Sequence, residues 1–241
     1  MKSLILALAL AASVFAAEIT VAAASSYTNA LTEVVAAYKD GAVKTVFAAS
    51  GKLTAQIEEG APFDVFLSAD MKYPEAVASK GLAEGSVIAT VENKLIVWSQ
   101  TIDVAKGLDA LLDKKVKKIA IADPKVAPLG VAAVEVLNAS KIFGKIESKL
   151  VYGENINVPA TYVEQGAADI AIVGYSVVAK QINEGKGKFA YIDSKLYNPL
   201  KYGTVIIKGT KNLADAQKFV AFLKSDTATA IFAKHGLTVL K

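Results

Sequence analysis

From residue 18 onward, short runs of β-branched and small apolar residues alternate with longer stretches in which apolar positions recur every three or four residues. The short runs predict strands over residues 18–23, 45–48, 64–67, 94–98, 118–122, 149–152, 169–173 and 204–208. Between them, Leu31, Val34, Val35 and Tyr38 share one face of a helix over 29–38. Similar spacing predicts helices over 53–59, 74–80, 130–139, 161–166, 175–184 and 212–235. Strand–helix alternation implies an α/β fold, with parallel strands covered on both faces. The strands admit one sheet, a barrel or two smaller sheets. No Pro- or Ser-rich linker, low-complexity tract or solenoid period divides the chain.

Residues 1–16, MKSLILALALAASVFA, depart from this pattern. Lys2 precedes an apolar run over 4–12, and Val14 and Ala16 occupy the −3 and −1 positions of a signal-peptidase site. The run is shorter than the ~20 residues that a spanning helix needs. The expectation is a cleaved export signal, a mature start at Ala17 and a periplasmic protein. With no Cys in the chain, no lipid anchor at a new N-terminal Cys is expected.

Composition then removes much of the enzyme catalogue. The 241 residues are 53% hydrophobic, enough for a sizeable core, and hold no Cys and one His. Thiolate metal sites, cysteine nucleophiles and disulfides are excluded, and His235 alone cannot supply multi-His zinc chemistry. All 27 basic residues are Lys, so the bidentate fork that Arg offers to phosphates is absent. Without Lys2 the 27 become 26 against 23 acidic residues, a formal charge of +3. The run Lys114, Lys115, Lys117 and Lys118 follows Asp109 and Asp113 and reads as a solvated helix end, so no nucleic acid is expected as partner. Gly185-Lys186-Gly187-Lys188 lacks the third glycine of a nucleotide fingerprint and reads as a loop. His235 reads as a half-exposed residue at the end of the last helix.

The chemistry lies where strands hand over to helices. The stretches Ala24-Ser25-Ser26-Tyr27-Thr28-Asn29, Ala49-Ser50-Gly51-Lys52, residues 123–130 and Gly153-Glu154-Asn155-Ile156-Asn157 each put small, hydroxyl or glycine residues at a helix start. There up to four backbone N–H groups lack intrahelical partners. In parallel sheets such turns gather at the carboxyl ends of strands, where open α/β folds bind ligands. Together they form an anion site without a formal positive charge, although each turn taken singly is also an ordinary helix cap.

The segments AAASSYTNAL (22–31), FAASGKLTAQIEEGAPFDVFLSAD (47–70), ADPKVAPLG (122–130) and GENI (153–156) resemble the periplasmic molybdate-binding proteins of ABC importers. The resemblance implies a two-lobed, type II periplasmic-binding-protein-like fold, each lobe a mostly parallel sheet flanked by helices, with the ligand in the interlobe cleft. Residues 17–90 and 200–241 would form lobe one, and 91–199 lobe two. It further implies that Ser25 and Ser50 hold the anion from lobe one, and the backbone N–H groups of Leu129 and Ile156 from lobe two. A tyrosine hydroxyl is expected after the strand at 169–173. Gly174-Tyr175-Ser176 offers Tyr175, with Tyr and Gly transposed relative to the family form. The first turn is also one residue longer than in some relatives, so Ser26 could share or replace the role of Ser25.

The implied ligand is molybdate or tungstate, with no cofactor and no protein-coordinated metal. The implied partner is an ABC permease with its cytoplasmic ATPase, served by a monomeric protein that is not an enzyme. Such dianions carry four acceptor oxygens and no proton, so a matched pocket holds donors only. A sulfate- or phosphate-type site is the nearest alternative. Asp123 could accept from a protonated phosphate, but in Asp123-Pro124 it reads as a residue bonded to its own turn. The tyrosines Tyr162, Tyr175, Tyr191, Tyr197 and Tyr202 raise an iron(III) alternative. A secreted hydrolase lacks any serine motif to support it.

Overall fold

The computed structural model describes residues 18–241; the expected signal segment lies outside them. In chain order the elements are β1 (Ile19–Ala24), α1 (Thr28–Ala37), β2 (Val43–Ala48), α2 (Ser50–Glu58), β3 (Val65–Leu67), α3 (Lys72–Ser79), β4 (Ala83–Asn93) and β5 (Leu95–Ser99). There follow β6 (Ile119–Ala122), α4 (Pro128–Ala139), α5 (Phe143–Ile146), β7 (Leu150–Gly153), α6 (Asn157–Glu164), β8 (Ile170–Gly174), α7 (Tyr175–Asn183) and β9 (Lys188–Tyr191). The chain closes with β10 (Leu200–Ile207), α8 (Leu213–Phe222), α9 (Asp226–Lys234) and β11 (Thr238–Val239).

The strands form two sheets, ordered β11-β4-β10-β3-β1-β2 and β7-β6-β8-β5-β9. Helices cover them, and in the second sheet the inner strands are wholly buried and mostly apolar: β5 reads LIVWS and β8 IAIVG. The architecture is thus two-lobed α/β, but the sheets are mixed where mostly parallel sheets were expected. β1 runs parallel to β2 and β3, and β6 parallel to β7 and β8. β10 is antiparallel to β3 and β4, and β5 to β8 and β9. The reason is the crossover. β4 ends at Asn93 in one sheet, and after Lys94 the chain enters the other as β5; β10 brings it back antiparallel to β4, Leu200 opposite Asn93.

Three strands escaped the sequence pattern. β4 is half exposed and interrupted by Glu84, Gly85 and Ser86, while β9 and β11 are short edge strands. The expected helix over 212–235 is two helices. Ser225 breaks it, because its side chain accepts from Ala228 N and starts α9 afresh.

Candidate functional site

The parallel half of each sheet points its carboxyl edge at the other lobe. From the first, β1 leads into a 3-10 turn over Ser25–Tyr27, and β2 leads through Ala49 into α2, whose first residue is Ser50. From the second, β6 leads through the Asp123–Ala127 turn into α4, and β7 into the turn before α6. Pro128 occupies the first position of α4, where its missing N–H costs nothing. Two glycines let these helices approach the strand ends. A Cβ on Gly130 would stand 2.4 Å from the Ala122 carbonyl oxygen, and one on Gly153 would stand 2.7 Å from Pro159 Cδ.

The four turns surround a small cavity of about 10 Å³. Ala24, Ser25, Ser26, Ala49, Ser50 and Ala69 line it from one lobe, and Ala127, Pro128, Leu129, Asn155 and Ile156 from the other. Not one lining side chain is charged. Ser26 and Ser50 are 2% and 1% exposed. Ser50 Oγ accepts from Ala69 N at 3.1 Å, which leaves its proton free to point into the cavity. Leu129 is the second residue of α4 and Ile156 immediately precedes α6, so both present helix-start N–H groups. The arrangement can donate several hydrogen bonds to a small anion, aided by helix dipoles, and offers no side-chain carboxylate in return.

Four of the five sequence-predicted residues, Ser25, Ser50, Leu129 and Ile156, thus meet at one cavity. Tyr175 does not. Its ring lies parallel to Tyr191 at 5.7 Å, packs edge-on to Phe189 and leaves no room for a Cβ on Gly236. The transposition at the end of β8 explains this. Gly174 is the position that faces Leu129 Cδ1 and Asn93, and the next residue projects elsewhere.

Asp123 also stays outside: its Oδ1 accepts from Lys125 N at 2.9 Å, within its own turn. None of the tyrosines considered for iron lines the cavity. Tyr197 Oη accepts from Leu95 N, and Tyr202 Oη from Asn93 Nδ2. His235 is buried rather than half-exposed and lies against Glu33, Nε2 to Oε2 2.9 Å.

Groups beside the cavity bond across the cleft, a feature periodicity could not reveal. Asn157 Nδ2 donates to Ser25 O at 3.1 Å, and Gly51 N to Val126 O at 3.3 Å. Ser176 Oγ donates to Ser26 O at 3.1 Å, and the exposed Lys52 and Glu154 pair at 2.9 Å. The lobes are closed on each other.

Residues 19–238 match the family of bacterial extracellular solute-binding proteins. A molybdate-binding protein ModA from Rhodobacter capsulatus is 34% identical over 97% of this chain and 92% of its own length. One from Azotobacter vinelandii is 34% identical over 94% of this chain and 92% of its own length. The solved periplasmic molybdate-binding protein of Azotobacter vinelandii superposes with a TM-score of 0.87 at 27% identity, over 92% of this chain and all of that one. A sulfate-binding protein from Mycobacterium tuberculosis, TM-score 0.76 over 93% of this chain and 87% of that one, is 12% identical and shares the fold alone. By sequence, by the two-lobed type II fold and by the cleft between its sheets, the chain belongs to the bacterial extracellular solute-binding proteins.

Proposed function

We propose that this protein captures molybdate between its lobes and delivers it to an ABC importer. The observation that carries this reading is a small cavity whose lining offers serine hydroxyls and helix-start amides, with no charged side chain. That inventory suits a fully deprotonated tetrahedral dianion, which needs donors on every side. Ser25 and Ser50 hold it from lobe one, and the amides of Leu129 and Ile156 from lobe two. Tungstate, alike in charge and acceptor character, is the second ligand. Lobe one comprises residues 17–93 and 200–241 and lobe two 94–199. That boundary falls later than the 90/91 the resemblance implied, because β4 stays paired in the first sheet to Asn93. The chain works as a monomer in the periplasm after losing residues 1–16. Relatives named for molybdate binding support the ligand. The permease and its ATPase receive the closed form, and no covalent step is involved.

Thermal unfolding with molybdate, tungstate, sulfate, phosphate or ferric citrate tests the reading. A ligand at 100 times its dissociation constant adds about 2.7 kcal/mol of stability. A clear upward shift is expected with molybdate and tungstate, and none with the others. A shift with sulfate, phosphate or iron alone keeps the fold and replaces the ligand; no shift at all removes the site.

A further inference from the structure

Tyr175 stands outside the cavity, yet its ring touches both lobes. It opens α7 directly after β8, and its backbone N–H donates to Lys94 O at 2.8 Å. Lys94 is the residue through which the chain crosses from β4 to β5. Within lobe two the ring is held by Tyr191, stacked at 5.7 Å, and by Phe189, edge-on at 5.4 Å. Those two rings also meet each other at 5.4 Å, and both belong to β9.

From lobe one, bare backbone meets the ring. Gly236 ends α9 with φ +71°; its N–H donates to Ala233 O, and that of Leu237 to Phe232 O. β11 then pairs with the end of β4, Thr238 opposite Glu92. That register, continued back along the chain, brings Gly236 level with Lys94, which Tyr175 N–H already holds. The contact therefore lies beside the crossover. A Cβ on Gly236 would stand 2.1 Å from Tyr175 Cδ1 and 2.7 Å from Cε1, where ordinary contact begins at 3.4 Å. A positive φ alone would also admit Asn; the ring leaves no space for any side chain.

Resting on the oxyanion reading above, we propose that Tyr175 is a positioning residue: its ring against Gly236 is the stop on which the lobes close, and it sets the spacing between their two sets of donors. Hydrogen bonds tolerate only a few tenths of an ångström around 2.7–3.2 Å. A side chain at Gly236 intrudes by more than that. With Tyr191 and Phe189 packed on the ring, lobe two gives way as a body, and the amides it offers move off the anion.

Calorimetric titration with molybdate and stopped-flow release test this on the unmodified protein, Gly236→Asn, Tyr175→Ala, Tyr175→Phe and the double variant Gly236→Asn/Tyr175→Ala. Asn tolerates the left-handed backbone, so Gly236→Asn adds bulk with little strain. It is expected to weaken molybdate about tenfold or more, mainly through faster release, because only the closed state is obstructed. In the Tyr175→Ala background the same substitution should cost less than about twofold. Tyr175→Phe keeps the ring and should bind within about twofold of the unmodified protein. No loss in Gly236→Asn overturns the proposal, and so does an equal loss in both backgrounds. A tenfold loss in Tyr175→Phe overturns it too, since the hydroxyl would then be a ligand. Should Gly236→Asn not fold, Tyr175→Ala decides: release is expected to be about fivefold faster. A merely structural ring would lower the melting midpoint of the ligand-free protein and leave release unchanged, which overturns the proposal. An unmodified protein that binds neither molybdate nor tungstate overturns the functional reading itself, a result separate from any difference among the variants.

Discussion

Ser50 shows how much one side chain contributes when its surroundings dictate its proton. Its Oγ is held by the Ala69 amide, so loss of the hydroxyl removes a donor already aimed at the cavity. A hydrogen bond to a charged group is worth about 1.5–3 kcal/mol, so Ser50→Ala and Ser25→Ala should each weaken molybdate at least tenfold in a calorimetric titration. Leu129 is the contrasting case. If its backbone N–H is the ligand, Leu129→Met should change affinity less than about twofold, since a volume-conserving apolar swap leaves the amide in place. These residues were legible because each belongs to a motif at a strand–helix junction, where the element boundary fixes the direction of the donor. Tyr175 was not, because at such a junction a shift of one residue sends a side chain to a different face. Only the path of the backbone reveals which of Gly174 and Tyr175 looks toward Leu129.

Among elements, the decisive contact is the approach of α4 to the end of β6. Gly130→Ala would drive a methyl into the Ala122 carbonyl at 2.4 Å, so α4 must back away. Overpacking of this kind costs about 1–3 kcal/mol. We expect a lower denaturant midpoint together with weaker molybdate binding, because the Leu129 amide moves with the helix. A different clasp joins α1 to the end of α9, where Glu33 meets Lys234 and His235. Hydrogen bonding from Lys234, then from His235, holds the Glu33 carboxyl below its usual value. Its contribution is present above the ordinary carboxylate range and is lost as pH falls through the lowered value. Melting curves over a falling pH series should therefore decline less steeply for Glu33→Gln than for the unmodified protein. The strands of the parallel halves were readable from apolar runs alone. β4, whose exposed Glu84-Gly85-Ser86 interrupts the apolar pattern, and the Ser225 break were not, because their outcome depends on tertiary pairing and on one capping hydroxyl.

Across the whole molecule, the bonds between lobes differ in what they can contribute. Lys52 and Glu154 are mostly exposed, and such pairs contribute at most about 1 kcal/mol; Lys52→Ala should leave affinity within about threefold. Asn157 reaches from α6 to the carbonyl of Ser25 itself, coupling closure to a residue that lines the cavity. Asn157→Ala should speed ligand release about fivefold in stopped-flow dissociation while association changes little, since the closed state alone loses the bond. Division into two sheets could not be read from strand count, and the closing contacts pair residues more than 70 positions apart.

The uncharged lining has one more consequence. A cavity without an ionisable side chain has no proton to take up or release when a dianion enters. Binding heats measured in buffers of very different ionisation enthalpy should then coincide, and the whole charge of the ligand should appear on the complex. A mature chain of formal charge +3 would become one of +1, so the loaded and empty forms should separate on a native isoelectric gel. On the reading proposed above, the loaded and empty forms would then present different net charges to the importer.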